Sequence, residues 1–180
     1  MTGRFYAVVG PSGAGKDTLM EAAAARLPGL HLARRVITRP ANAGGEDFDG
    51  VSEAEFDARL AAGDFALHWA AHGLRYGVPA TVDTVLAQGH PVLCNLSRAV
   101  LPQAMARFPG MAALHVTARP EVLAERLADR GRETVEDIAR RLARQGAALP
   151  EGLAVHEIDN SGALDEAVTR LLALLQPART

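Results

Sequence analysis

The stretch Gly10–Lys16, which reads Gly-Pro-Ser-Gly-Ala-Gly-Lys, directly follows the short apolar run Phe5–Val9. An apolar run of this length that ends in glycine is typical of a buried parallel strand. Beyond the stretch, Asp17–Leu27 carries apolar side chains at helical spacing. A strand, the pattern G-x-x-x-x-G-K and a helix in this order predict a phosphate-binding loop, called the P-loop below. The alternative is a glycine turn that holds an incidental lysine.

The single lysine of the chain strengthens this prediction. Among the 19 basic residues every one except Lys16 is arginine, a bias that high-GC coding favours. Lys16 thus keeps a compact, flexible ammonium group, which can reach the β- and γ-phosphates of a nucleotide. Glycines let backbone N–H groups curl around phosphate oxygens, and the helix N-terminus adds a positive dipole. We therefore expect ATP to be bound by Gly10, Pro11, Ser12, Gly13, Ala14, Gly15, Lys16, Asp17 and Thr18.

The residue after Lys16 departs from the usual pattern. Ser or Thr, whose hydroxyl binds Mg²⁺, is expected there, but this chain has Asp17, with Thr18 one residue later. A carboxylate can hold Mg²⁺ directly or through water, and without the metal it would repel a triphosphate. We therefore expect a strict Mg²⁺ requirement, with Asp17 and Thr18 near the ion. The alternative is an acid that merely stabilises the first turn of its helix.

Apolar strand-like runs alternate with amphipathic helical stretches along the chain, which predicts an α/β fold with a parallel sheet. A region at about 35–89 breaks this alternation with short strands and glycine-bearing turns, and we interpret it as an insertion into a single domain that spans 1–180. Later strands are predicted at His31–Ile37, Pro91–Leu96, Ala112–Thr117 and Leu153–Ile158. Helices are predicted from Ser52 through Leu60, from Pro120 to Asp129, from Thr134 through Ala147 and at Leu164–Leu175.

Composition excludes several classes of protein. With 180 residues and a formal net charge of −2, the chain has enough length for one core and no basic field for nucleic acid or anionic membranes. Its single Cys94 excludes an intramolecular disulfide and reads as a small buried hydrophobe in a reducing compartment. No stretch resembles a signal peptide or a membrane span, so we expect a cytoplasmic protein.

Arginines are concentrated near the end of the chain, at about 125–145. A mobile arginine-rich segment of this kind can fold over ATP and neutralise the charge of a transferring phosphoryl group. The cluster comprises Arg126, Arg130, Arg132, Arg140, Arg141 and Arg144. We assign a catalytic role in this lid to Arg130, Arg132 and Arg141. Arg140 lies next to acids one turn back and fits a solvated helix face.

A second group of arginines lies in the insertion and suits an anionic acceptor. Arg34, Arg35 and Arg39 precede Arg75-Tyr76, and guanidinium groups bind phosphate bidentately. No Ser/His/Asp pattern is evident, and His68 with His72 lacks a third zinc ligand. If the acceptor is itself a phosphate, no general base is required, because its oxygen is already an anionic nucleophile.

The motifs, taken together, resemble those of guanylate kinases over nearly the whole chain. The matching segments are Gly10–Lys16, Ile37-Thr38-Arg39, Val51–Phe56, His68-Trp69-Ala70, Tyr76-Gly77 and Arg130–Glu133. This resemblance implies a P-loop core, an acceptor-binding insertion and an arginine-bearing lid. Acidic base-reading residues of that family are replaced here by His68, Asn95 and Ser97, and cations appear at Arg35 and Arg75. The loss of acidic residues and the gain of cations disfavour binding of a purine and favour binding of a sugar that carries more phosphate.

A closer resemblance is to the ribose 1,5-bisphosphate phosphokinases of phosphonate degradation. It is carried by Gly15–Thr18, Val36–Arg39, Gly73–Val78, Val92–Ala104 and Arg130–Glu133. The resemblance implies phosphoryl transfer from ATP to the 1-phosphate of ribose 1,5-bisphosphate, giving 5-phosphoribosyl 1-diphosphate and ADP. It also implies that the bisphosphate is held by Arg35, Arg39, Arg75 and Tyr76, the ribose by His68, Asn95 and Ser97, and the adenine by the loop at Asn160.

Two other functions stay open at this point. A guanylate or other nucleoside monophosphate kinase would have to turn over GMP despite His68 and Ser97. A non-catalytic binding module with a guanylate-kinase-like fold would have no use for Gly15-Lys16 or for the lid arginines, which argues against it.

Overall fold

The computed structural model describes residues 3–44, 46–129, 134, 136, 138 and 148–176. Within these residues the chain forms nine strands and six α-helices. The strands are β1 (Phe5–Val9), β2 (His31–Leu32), β3 (Val36–Ile37), β4 (Asp49–Gly50), β5 (Phe65–Ala71), β6 (Leu74–Pro79), β7 (Val92–Asn95), β8 (Ala112–Thr117) and β9 (Ala154–Asp159). The helices are α1 (Lys16–Arg26), α2 (Glu53–Ala61), α3 (Thr81–Ala87), α4 (Leu101–Arg107), α5 (Pro120–Ala128) and α6 (Leu164–Leu175).

The main sheet has five parallel strands in the order β2-β7-β1-β8-β9. Every residue of the central strand β1 is buried, as expected for a parallel strand that is covered on both faces. Its side chains alternate between two cores. Phe5, Ala7 and Val9 pack on the face that also buries α4 residues, and Tyr6 and Val8 pack on the face covered by α1 and α6. The predicted α/β fold with a parallel sheet is confirmed.

A second, four-stranded sheet has the order β4-β3-β6-β5 and lies within the stretch interpreted as an insertion. Two of its strands form the β5–β6 hairpin, with β5 at one edge of the sheet, and the turn residues His72 and Gly73 both have positive φ, at 53° and 73°. That backbone twist matches the twist of the flanking strands. In the sequence, the strands of this sheet come after β2 and before β7. The chain therefore leaves the main sheet after β2 and returns to it at β7.

The strand predicted at His31–Ile37 is wrong as a single element. The structure divides it into β2, which pairs with β7 in the main sheet, and β3, which pairs with β4 and β6 in the second sheet. Only three residues separate β2 from β3, so the local pattern did not show that the chain passes from one sheet to the other there. The sequence reading also missed α3, α4 and the two long strands of the hairpin.

Other boundaries agree closely with the predictions. The strand at Phe5–Val9, the strand at Ala112–Thr117 and the helix at Leu164–Leu175 are reproduced. Ser52 caps α2 as predicted, since its Oγ accepts the Glu55 N–H at 3.1 Å. The predicted helix from Thr134 through Ala147 lies almost entirely outside the described residues. No helix in the described part of the chain has both the length and the apolar character needed to cross a bilayer.

Cys94 is fully buried in the middle of β7, as the sequence suggested. Burial raises the pKa of its thiol to about 12, because the thiolate would lose its hydration. We expect no reaction with a water-soluble disulfide reagent at pH 8 in the native protein and full reaction after unfolding in guanidinium chloride.

The same pKa shift predicts a pH dependence of stability. Above pH 9 the thiol ionises in the unfolded chain but stays protonated in the folded one up to about pH 12, so the free energy of unfolding falls as the pH rises through this window. Denaturant titrations of the wild type and of Cys94→Ala should show a steeper loss for the wild type. Parallel profiles for both proteins would contradict the prediction.

Candidate active site

The P-loop joins the carboxyl end of β1 to the first residue of α1. Gly15, the residue before the helix, has φ of 80°, in the left-handed region that favours glycine. Lys16 begins the helix, and its Nζ donates to the carbonyl oxygens of Gly10 at 2.9 Å and Pro11 at 3.1 Å. The ammonium group is therefore held over the mouth of the loop, where an anion would be bound.

Two side chains from later in the chain contact the backbone of the P-loop. Arg126, in α5, donates from Nη1 to the Gly13 carbonyl at 3.1 Å and from Nη2 to the Asn160 carbonyl at 2.8 Å. Asn160, which follows β9 and is 4% exposed, donates from Nδ2 to the Ala14 carbonyl at 2.8 Å. The sequence placed Arg126 in the arginine cluster at about 125–145 but assigned it no individual role.

A cavity of about 390 Å³ opens beside this side of the P-loop. Its walls include Thr18 on α1, Asp129 at the end of α5 and Leu164 at the start of α6. The P-loop itself contributes Gly13 and Gly15 to the wall. A cavity of this volume beside a phosphate-binding loop has room for the base and ribose of a nucleotide.

Asp17 and Thr18 face different cavities. Asp17 lines a smaller one of about 120 Å³, together with Asn95 at the end of β7 and Glu46 of the insertion, whereas Thr18 lines the larger one. Successive residues of a helix point in directions about 100° apart, so the two side chains do not converge. Asp17 and Thr18 therefore do not lie beside one common cavity, and a metal role for either residue stays a prediction.

Arg35 forms a buried ion pair inside the insertion. The residue is 8% exposed, and its Nε and Nη2 donate to the two carboxylate oxygens of Glu46, the first at 3.1 Å. The guanidinium also lies over the Tyr76 ring, 5.4 Å from its centre, and that ring stacks on Trp69. Two residues expected to bind the acceptor, Arg35 and Tyr76, are thus brought together, and Glu46 is a neighbour that the sequence reading missed.

Arg39 is the other cation of the insertion close to this group. Its guanidinium lies 4.3 Å from the centre of the Phe48 ring, and Nη2 donates to the Gly44 carbonyl at 2.6 Å. Its Nε is the only buried side-chain nitrogen or oxygen without a hydrogen-bond partner in the described part of the chain. The Arg39 side chain therefore has hydrogen-bonding capacity left for an anion.

Arg75, which the sequence also assigned to the acceptor, is placed away from these residues. Adjacent residues of a strand point to opposite faces, so Arg75 lies on the face of the second sheet opposite Tyr76. There it pairs with Glu53 and Asp57 of α2 and lies over the Phe56 ring. These acids occupy its guanidinium group, and we leave Arg75 out of the proposed site. His68 is exposed and lies opposite Gly77 in the hairpin register, on the same face as Arg75.

Asn95 and Ser97 lie at the carboxyl edge of the main sheet. Asn95 pairs in register with Val8 of β1, which places it beside the start of the P-loop, and Ser97 is exposed two residues further on. In open parallel sheets, ligands bind at this edge. The two residues are therefore well placed between the P-loop and the insertion.

A neutral histidine lies at the same edge. His115 in β8 pairs in register with Val9, and its Nε2 is 3.0 Å from Nη2 of Arg98. Burial and the neighbouring Arg98 cation both lower the pKa of His115, so the ring is neutral at pH 7 and accepts this hydrogen bond. The three arginines assigned to catalysis in the lid, Arg130, Arg132 and Arg141, lie outside the described residues.

No protein-family model matches the chain. Among solved structures it is similar to a guanylate kinase from Anaplasma phagocytophilum, with a TM-score of 0.68, 19% identity and coverage of 97% of this chain and 85% of that one. It is also similar to a gluconokinase from Sinorhizobium meliloti 1021, with a TM-score of 0.55, 20% identity and coverage of 97% and 91%. At these identities the likeness shows the fold alone.

Curated relatives are much closer in sequence. The chain is 56% identical over 178 residues to ribose 1,5-bisphosphate phosphokinase PhnN of Ruegeria sp. strain TM1040, with 98% of this chain and 94% of the relative covered. Proteins of the same name from Agrobacterium fabrum and Thiobacillus denitrificans are each 49% identical, with 94% and 98% of this chain covered and 94% of each relative. Identity at this level over nearly the whole length of both partners shows that the chain belongs to the ribose 1,5-bisphosphate phosphokinase family.

Proposed function

We propose that this protein transfers the γ-phosphoryl group of ATP to the 1-phosphate of ribose 1,5-bisphosphate, giving 5-phosphoribosyl 1-diphosphate and ADP. The observation that carries the proposal is the near-full-length identity to relatives named for this substrate. The site supports it, because Asp17 after the P-loop and Glu46 of the insertion line one cavity, and Arg39 of the insertion keeps hydrogen-bonding capacity for a phosphate. We further propose a cytoplasmic enzyme whose partner is this small sugar phosphate rather than nucleic acid or a membrane.

The chemistry requires one bond to form and one to break. An oxygen of the 1-phosphate attacks the γ-phosphorus, and the bond from that phosphorus to the oxygen it shares with the β-phosphate breaks as ADP leaves. The attacking oxygen is already an anion, so the site needs no general base. The work left to the protein is to align the two phosphates and to neutralise their charge.

On the donor side, the P-loop amides and Lys16 would hold the β- and γ-phosphates. Lys16 Nζ already lies at the mouth of the loop, within 3.1 Å of two of its carbonyl oxygens. Arg130, Arg132 and Arg141 of the proposed lid would supply further positive charge as the phosphoryl group moves.

The residues near the P-loop also fit a bound Mg²⁺. Asp17 offers a carboxylate and Asn95 an amide oxygen to one cavity, and hard cations prefer such ligands. Among the described residues, no three His, Cys, Asp or Glu side chains come close enough to hold a metal by themselves, so phosphate oxygens and water would complete the shell. When bound, the ion would neutralise charge on the β- and γ-phosphates.

On the acceptor side, Arg39 is the best-placed phosphate ligand. We propose that it binds one phosphate of the sugar, that Arg35 and Tyr76 shape the pocket beside it, and that the ribose lies toward Asn95 and Ser97. His68 is exposed on the far face of the hairpin and would contribute only if the insertion moves toward the core. The tryptophan that stacks on Tyr76, Trp69, is the only one in the chain and so reports on this pocket by fluorescence.

The direct test is ADP release from Mg·ATP by the purified protein with either ribose 1,5-bisphosphate or GMP, with the product identified by mass. We expect turnover with the sugar bisphosphate and a loss of at least about 100-fold in Lys16→Ala, because the charge on the transferring group would lose its counter-ion. Turnover with GMP alone would establish a guanylate kinase instead. ATP binding without turnover of either acceptor would favour a binding module.

Two arginines of the insertion, Arg39 and Arg75, give a matched pair of variants. Arg39→Ala should raise the KM for the acceptor about 10- to 100-fold and leave the KM for ATP within about twofold, because a charge-assisted hydrogen bond to phosphate is lost. Arg75→Ala should change neither KM by more than about twofold, since this side chain pairs with α2. Equal effects of Arg39→Ala on both substrates would contradict the assignment.

Substitution of Asp17 tests the metal assignment. In Asp17→Asn we expect the Mg²⁺ concentration for half-maximal activity to rise about tenfold or more, because a carboxylate ligand is lost. Glu121→Gln removes a first-turn acid from a different helix, α5, and serves as the control. An unchanged Mg²⁺ requirement in Asp17→Asn would show that Asp17 only stabilises the first turn of α1.

A further inference from the structure

We propose that Arg126 and Asn160 act together as a clamp that holds the carbonyl groups of the P-loop, so that its amides face the bound phosphates. Both are positioning residues for the phosphates of the donor, and both also line the cavity that has room for its base and ribose. The inference rests on the proposed use of a nucleotide donor, but it is independent of the identity of the acceptor.

Arg126 ties three parts of the chain to one another. The residue belongs to α5, and its two terminal nitrogens donate separately to Gly13 in the P-loop and to Asn160 after β9. Hydrogen bonds from a charged donor are about twice as strong as those between neutral groups. The guanidinium therefore fixes the spacing between the P-loop and the loop that carries Asn160.

Asn160 completes the clamp from the other side. Its own N–H donates to the Thr117 carbonyl at 2.7 Å, which anchors the residue to the end of β8. Its side-chain Nδ2 donates to Ala14 and lies only 2.7 Å from the position that a Cβ on Gly15 would occupy. The buried amide thus packs directly on the P-loop backbone, and the second glycine of the motif leaves the space for it.

The contacts decide the direction of the P-loop amides. In a planar trans peptide, the carbonyl of one residue and the N–H of the next point in opposite directions. A fixed Ala14 carbonyl therefore turns the Gly15 N–H toward the concave side of the loop. The fixed Gly13 carbonyl holds the peptide that it shares with Ala14, whose N–H closes a turn on the Pro11 carbonyl at 3.2 Å and so supports the shape of the loop. Because the orientation exists before the phosphates arrive, binding them requires no reorganisation.

The position of Arg126 also connects this clamp to the proposed lid. Its helix, α5, ends at Ala128, immediately before the arginines at 130–144.

Binding of Mg·ADP and Mg·GDP, measured by calorimetry, tests the clamp without any acceptor. The variants are Arg126→Ala, Asn160→Ala, the double variant, the conservative Arg126→Lys, and Arg26→Ala as an arginine control in an exposed pair with Asp165. We expect each single alanine variant to bind both nucleotides about tenfold more weakly, by the same factor for each. The double variant should bind only slightly more weakly than the single variant with the lower affinity, because each residue supports the other.

Arg126→Lys keeps the charge and one donor, so it should recover part of the affinity, and Arg26→Ala should bind as the wild type does. The KM for the acceptor in the active variants should stay within about twofold of the wild-type value. Unequal losses for ADP and GDP would identify base-reading residues and overturn the proposal. So would losses below about twofold, or multiplicative losses in the double variant. If Asn160→Ala does not fold, the Arg126→Ala and Arg126→Lys pair decides the question by the same criteria.

Discussion

The turn at Gly10 is the constraint on which the rest of the site depends. A Cβ at this position would lie 2.2 Å from the carbonyl oxygen of Val116 in the neighbouring strand β8, so only glycine lets the backbone pass. The close approach brings the P-loop over the carboxyl edge of the parallel sheet. It also places the loop beside the carboxyl-end halves of the neighbouring strands, where Asn95 of β7, His115 of β8 and Asn160 after β9 lie.

The arginines of the insertion illustrate how local pairing decides the use of a charge. Arg35 and Arg75 are both engaged by acids, but Arg35 is buried against Glu46 and Tyr76 whereas Arg75 lies with α2 on the outer face. A buried ion pair costs much of its Coulombic energy in desolvation, so its value lies in fixing geometry more than in stability. Arg39 makes a single backbone hydrogen bond to Gly44 and packs on Phe48, which leaves it the most available of the three to a phosphate.

Much of the fold could be read from the chain because its decisive elements are strongly patterned. The strand at Phe5–Val9, the P-loop and the amphipathic helix at Leu164–Leu175 each carry a local signal that tertiary contacts reinforce. The elements that the sequence analysis missed or merged carry no such local signal. Helices α3 and α4 have only seven residues each, and β2 and β3 have two residues each and lie only three residues apart although they belong to different sheets.

By itself the sequence determined the P-loop, its lone lysine and the unusual Asp17, because these depend on residue types at fixed spacing along one turn of chain. It also carried the pattern that relates the chain to its family. Only the tertiary structure decided which arginines meet the site. Strand alternation turned Arg75 away from Tyr76, and the order of the parallel strands brought Arg126 and Asn160, 113 and 146 residues from their partners, onto the P-loop backbone. Such contacts arise from the packing of distant elements, and no local spacing encodes them.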